Sequence, residues 1–248
     1  MLLQIWILIT NSLINQIRIV FINIYFNLNI GNDMKKILFY GDSITDFYRH
    51  YEATIDSDAL GNGYVRFIAG ELFYKYPKKY QIINRGISGN TVLDLLNRFD
   101  TDLLALKPDL VSILIGVNDV WHGIDDPSMF VETKDFEERF YTLINRIQKE
   151  LPKTKIIIIE PSFLHGTATD EGDKYNKFKL VYKFAKIEER IANERNIPFL
   201  KMQSAFNRMS KIWTPDKILI DGVHPNLLGA EIIAKRWINL FYKKIKGF

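Results

Sequence analysis

The chain has 248 residues, 47% of them hydrophobic and 25% charged, which suits one α/β domain with a substantial core. It contains no cysteine, so disulfides, thiolate metal sites and a cysteine nucleophile are excluded, while the compartment stays open. The net charge of +4 is mild, and its lysines fall on predicted helix faces (Lys174, Lys177, Lys179, Lys183, Lys186) and in the tail, a solvated face rather than a nucleic-acid surface.

Residues 1–33 differ in kind from the rest. The first 30 are rich in Ile, Asn and Leu and carry one charge, Arg18. A signal peptide would need a positive start, a compact apolar core and a small-residue cleavage site. A membrane anchor would need about 20 predominantly apolar residues, and Asn11, Ser12, Asn15, Gln16 and Arg18 interrupt the run. The composition changes abruptly at Met34. The expectation is an apolar extension outside the domain: an upstream read-through before a start at Met34, an anchor or uncleaved signal, or a folded extension. A start at Met34 implies a cytoplasmic protein; translation of 1–33 implies a membrane-anchored or secreted one. The domain is expected over 34–248.

From Met34 the chain alternates short apolar runs with amphipathic stretches. Strands are predicted at 35–40, 80–84, 109–115, 155–160 and 197–201, continuously apolar as in strands buried on both faces. Helices are predicted at 64–76, 91–106, 135–150, 174–195 and 226–245. Such alternation predicts one domain with a parallel sheet and helices on both sides. Ligands of such sheets sit beyond the carboxyl ends of the strands. The residues leaving the strands are Gly41-Asp42-Ser43, then Asn84 to Asn90 with two glycines, then Gly116-Val117-Asn118-Asp119, then Pro161-Ser162-Phe163.

Ester cleavage through a serine needs a base, a group that orients the base, and donors for the oxyanion. Four histidines could supply the base. His50 has no obvious orienter. His122 and His165 are expected in loops at the same edge, where they could line a pocket. His224 has Asp221 three residues before it, Pro225 after it and Asn226 placed to cap the next helix. Asp221 can accept from one ring nitrogen, leaving the other to face a serine. Taken alone, the pair could equally be a capping Asp and a surface His. Ser43, the Gly89 turn and Asn118 are candidate oxyanion donors, although each taken singly is an ordinary turn or cap residue. Asp42, Asp46 and Asp119 are expected to shape turns and complement a helix dipole. Asp221, His224, Asp42 and Asp46 are ligand types, but no HxH or HExxH spacing accompanies them, so no metal is expected.

These segments resemble a known family. GDS at 41–43, NRGISGNT at 84–91, GVND at 116–119 and DGVH at 221–224 are similar, in order and spacing, to the four blocks of the SGNH (GDSL-type) hydrolases. The resemblance implies a three-layer αβα sandwich on a five-stranded parallel, flavodoxin-like sheet. It implies Ser43 as nucleophile, Asp221 and His224 as the rest of a triad, and Ser43, Gly89 and Asn118 as the oxyanion hole, with no cofactor. GDSITD, GNGYV at 61–65, RGISGNTVLDL at 85–95, IGVNDVW at 115–121 and QSAFN at 203–207 look most like the bacterial acetylxylan esterases of that family. The substrate then implied is a small ester, an acetylated saccharide, with a lysophospholipase or broad short-chain esterase as the alternative. Trp121, His122 and Trp213 become candidates for a sugar platform, Trp213 equally for core packing. The pattern of those esterases carries a Trp before the triad Asp; here it is Ile220, which leaves the natural ester open. Relatives of this type often assemble, so a homo-oligomer is expected.

Overall fold

The computed structural model describes residues 34–53, 56–245 and 248. The expected extension, residues 1–33, lies outside the described residues. Five strands form one parallel sheet: β1 (Lys35–Gly41), β2 (Tyr80–Gly86), β3 (Leu110–Leu114), β4 (Lys155–Ile159) and β5 (Phe199–Leu200), in the order β2-β1-β3-β4-β5. The chain order reverses between β1 and β3, which is where sheets of this type place their ligand crevice.

The helices include α1 (Ser43–Asp46), α2 (Tyr64–Lys75), α3 (Val92–Asn97), α4 (Val117–Asp125), α5 (Thr133–Glu150), α6 (Leu180–Glu194), α7 (Gln203–Met209) and α8 (Leu227–Lys244). Side chains alternate across a strand, and β1 shows both layers at once. Phe39 packs on Tyr64 of α2 and Trp237 of α8, with ring centroids 5.7 and 5.3 Å away. Its neighbour Tyr40 turns to the other face and donates its hydroxyl to the Leu95 carbonyl of α3 at 2.6 Å. Helix α8 packs with α2, and α5 packs with α3 and α6. The predicted αβα sandwich is therefore the observed one. Apolar side chains fill both interlayer spaces, and the indole of Trp237 meets its polar requirement by donating to Ser112 Oγ at 2.9 Å.

Two predicted helices, one loop and one strand differ in outline. The stretch 91–106 breaks after Asn97 and resumes as a π turn over Asp100–Leu104. At the break, Arg98 reaches back to the carbonyls of Arg85 and Gly41 and to Asn90 Oδ1, satisfying strand-exit groups. The stretch 174–195 is split, with a short turn over Lys174–Phe178 before α6. Residues 117–125, expected as a loop around His122, are helix α4, entered from Gly116 at φ 116°. Strand β5 shrinks to two residues at the sheet edge.

Candidate active site

The register brings the carboxyl ends of the central strands level. Gly41 pairs with Gly86 on one side and Leu114 on the other. The residues that follow each strand therefore meet at one edge. From β1 the chain turns directly into α1, with the Asp42 carboxylate accepting from the Ile44 N–H at 2.9 Å. Ser43 is the first residue of that helix. Helix α1 is held from below by β2: the Asn84 amide donates to the Thr45 carbonyl at 2.7 Å and to that of Leu60 at 2.9 Å. Gly86 allows this approach, since a Cβ there would sit 2.2 Å from the Asp46 amide nitrogen.

The third contribution comes from about 180 residues away. The loop between Leu219 and Pro225 closes on itself, with the Ile220 N–H donating to the His224 carbonyl at 2.7 Å. It is fixed to the body by bonds from Leu164 N–H to the Gly222 carbonyl (2.8 Å) and from Ala168 N–H to the Asp221 carbonyl (2.9 Å). Asn226 caps α8 through its side chain on Leu227 N–H, as its position predicted.

These segments bring three side chains into line. Ser43 Oγ lies 2.9 Å from His224 Nε2, and His224 Nδ1 lies 2.7 Å from Asp221 Oδ2. The other carboxylate oxygen of Asp221 accepts from the backbone N–H groups of Val223 and His224, at 2.9 and 2.8 Å. Partial burial would raise the Asp221 carboxyl, but the His224 hydrogen bond and these two amides outweigh it and hold the group down at about 2. Asp221 is therefore a carboxylate that accepts from Nδ1–H. That leaves the lone pair on Nε2, where it accepts from the Ser43 hydroxyl. The hydrogen bond to Asp221 raises the pKa of His224 above its ordinary value, against its partial burial.

Gly89 and Asn118 line the same cavity as Ser43 and His224, a cleft of about 870 Å³. Among the described residues, neither the Ser43 nor the Gly89 backbone N–H is spent on a hydrogen bond. Gly89 has φ 81°, a left-handed conformation that a side chain would strain, with open space around it. The Asn118 amide donates one hydrogen to the Asn90 carbonyl at 3.0 Å, which ties the Gly89 turn to α4 and leaves its second hydrogen unspent.

Asp119 serves as a cap, its carboxyl accepting from Val92 N–H at the start of α3. Asp46 Oδ2 accepts from Tyr51 OH, Ser88 N–H and Ser88 Oγ, so it joins α1 to the Gly89 turn. Both do the structural work expected of them. Among the described residues, no group of three or more His, Asp or Glu is placed to hold a metal ion.

The structure sorts the candidate platform residues. Trp121 lines the cleft but is wedged between rings, 5.9 Å from His224 and 5.5 Å from Phe178. His122 lines the cleft from helix α4 rather than from a loop. His165 pairs with Asp170 and stacks on Tyr175, away from the cleft lining. Trp213 is neither core nor lining: it is 50% exposed outside the cleft. Ile220 is half exposed at the cleft wall. Sequence reasoning missed the segment Phe47–Tyr51, every residue of which lines the cleft. The available signal was its place, directly after the Ser43 helix, and its content of three aromatics, an Arg and a His in five residues.

A Ser–His–Asp relay at the switch point of this fold is what acyl transfer requires. The family model described as "GDSL-like Lipase/Acylhydrolase family" matches residues 39–232. The chain belongs to this family. As a member it is a carboxylic ester hydrolase of the GDSL type. An acetylxylan esterase of Geobacillus stearothermophilus is 37% identical over 214 residues, spanning 85% of this chain and 95% of that protein. A crystal structure assigned as a GDSL-like lipase, from Parabacteroides merdae, aligns with TM-score 0.78 at 36% identity, covering 86% of this chain and 99% of that one. Axe2, an acetylxylan esterase from Geobacillus stearothermophilus, aligns with TM-score 0.74 at 34% identity, covering 86% and 94%. Catalytic mutants of Axe2 carry alanine in place of a serine, of an aspartate, and of a histidine three residues after that aspartate. A further Axe2 variant has isoleucine in place of the tryptophan directly before that aspartate.

Proposed function

We propose that this chain removes acetyl groups from saccharides, xylan-derived ones foremost, with Ser43 as nucleophile. One observation carries the reading: the aligned relay Ser43–His224–Asp221, at 2.9 and 2.7 Å, in a chain so similar to an acetylxylan esterase over nearly that protein's full length.

In the proposed reaction Ser43 Oγ attacks the acetyl carbonyl while His224 Nε2 takes its proton. Asp221 keeps the imidazole in the tautomer with Nδ1–H and stabilises the cation that forms. The carbonyl oxygen, now negative, is received by the Ser43 and Gly89 N–H groups and the free hydrogen of Asn118. Donors of this kind are each worth ~10²–10³ in turnover. The intermediate collapses by breaking the bond from the acetyl carbon to the sugar oxygen, which takes the proton from His224 and leaves as a hydroxyl, and a water then repeats the sequence on the acetyl-serine.

Ser43→Ala should lower turnover of p-nitrophenyl acetate on the order of 10⁶-fold with an unchanged circular dichroism spectrum. Near-wild-type activity would remove Ser43 from the role. Acetylated xylo-oligosaccharides should be deacetylated in preference to lysophospholipid, and a series of lengthening acyl chains should fall steeply beyond acetyl. Preference for lysophospholipid, or a flat series, would favour the lipid esterase.

A further inference from the structure

The chain leaves α1 through two consecutive non-glycine residues in the left-handed region, Phe47 at φ 39° and Tyr48 at φ 62°. Side chains adopt this conformation at an energetic cost, and such residues persist where the surroundings over-determine them. Here they do. Phe47 N–H donates to the Ser43 carbonyl at 3.0 Å, and the Phe47 carbonyl accepts from Asn62 N–H at 2.9 Å. Beyond the corner, Arg49 N–H donates to the Asp46 carbonyl at 3.1 Å, and the buried Arg49 side chain donates to the Gly86 carbonyl at 2.9 Å. The Arg49 guanidinium also lies 4.0 Å from the Tyr51 ring centroid, whose hydroxyl is tied to Asp46.

All of this anchoring falls on the residues around Tyr48. Tyr48 itself is 81% exposed, lines the cleft that holds Ser43 and His224, and touches the Phe47 ring edge-on at 5.7 Å. A large aromatic ring is thus held in water, on a strained and rigid corner, five residues past the proposed nucleophile. Trp121, the aromatic residue the sequence favoured as a platform, is occupied by His224 and Phe178.

We infer that Tyr48 is the platform for the leaving-group sugar, the specificity-determining residue of the deacetylation proposed above, on which this inference rests. The electron-rich face of the phenol ring suits the C–H face of a pyranose, while His50 and His122 on the same cleft offer polar atoms to its hydroxyls. The left-handed corner sets where the backbone presents the ring, which rests edge-on against Phe47.

The test compares kcat/KM for an acetylated xylopyranoside with that for ethyl acetate, whose leaving group has no face to stack. Tyr48→Gly relieves the left-handed backbone, so the variant folds, with a melting temperature at or above wild type. The ratio of the two constants should fall about tenfold in Tyr48→Gly, a size typical of an aromatic stacking contact. It should stay within about twofold of wild type in Tyr48→Phe, which keeps the ring. An unchanged ratio in Tyr48→Gly, or an equal loss in Tyr48→Phe, overturns the role of Tyr48. Wild-type protein that cleaves ethyl acetate but not the acetylated xylopyranoside overturns the substrate reading itself.

Discussion

The cleft wall and the buried interior behind it push carboxyl groups in opposite directions. At the wall, Asp221 is a firm carboxylate, held down at about 2 by the imidazole and two backbone amides. In the interior, burial pushes Asp42 and Asp119 each up to about 7, despite an N–H donor to each. Glu188 of α6 goes further. It is fully buried, neither of its oxygens has a hydrogen-bond partner among the described residues, and burial raises its pKa well above the usual range, with Asp119, Glu160 and Asp42 adding to the rise. One side-chain chemistry is thus pulled towards the anion where donors converge and towards the neutral acid where burial outweighs them.

Replacing Asp221 by Asn would break the contrast most severely. The amide cannot select the Nδ1–H tautomer in the same way, and kcat on p-nitrophenyl acetate should fall about 10⁴-fold. The pH profile sharpens the same point. Because the Asp221 hydrogen bond raises the pKa of His224 above its ordinary 6.5, the imidazole is an available base only at higher pH. The acid limb of kcat/KM should therefore lie above pH 6.5 in the wild type and move down in Asp221→Asn. A limb that stays in place would show that Asp221 does not tune the imidazole.

The interior acids are expected to act on stability. A carboxyl whose folded pKa is raised stabilises fully below its unfolded pKa, near 4, and loses that contribution as pH rises through the folded value. For Asp42 and Asp119 this window runs from about 4 to about 7, and each group costs about 1.4 kcal/mol per pH unit within it. For Glu188 the loss extends to higher pH. Urea midpoints should therefore fall with pH more steeply in the wild type than in Glu188→Gln, and parallel curves would mean that Glu188 is ionised in the fold. The smallest effect concerns Asp46, a buried acid whose Oδ2 is well supplied with donors. Ser88→Ala removes one of them and should lower stability by about 1 kcal/mol.

Much of this architecture was legible along the chain. Apolar runs marked β1, β3 and β4 best, because strands covered on both faces have no polar side to alternate with, whereas the edge strand β2 alternates buried and more exposed residues. Three motif blocks at strand exits and a fourth before α8 picked out Ser43, Gly89, Asn118, Asp221 and His224, which the structure gathers around one cleft. Helix boundaries were less legible where tertiary bonds override periodicity, as Arg98 does when it reaches back to Gly41 and Arg85. The role of Phe47–Tyr51 was hidden because backbone conformation, not composition, turns that segment towards the cleft.

The sequence by itself pointed to the class of chemistry, since four motif blocks in a fixed order are similar to those of one hydrolase family. Tertiary structure alone decided which aromatic ring is free to meet a substrate. Trp121, Trp213 and Tyr48 are all aromatic, and only packing sends one against His224, one into solvent outside the cleft and one onto its rim. It also decided which acids carry charge, because a pKa is set by the donors and the burial around a carboxyl rather than by its identity.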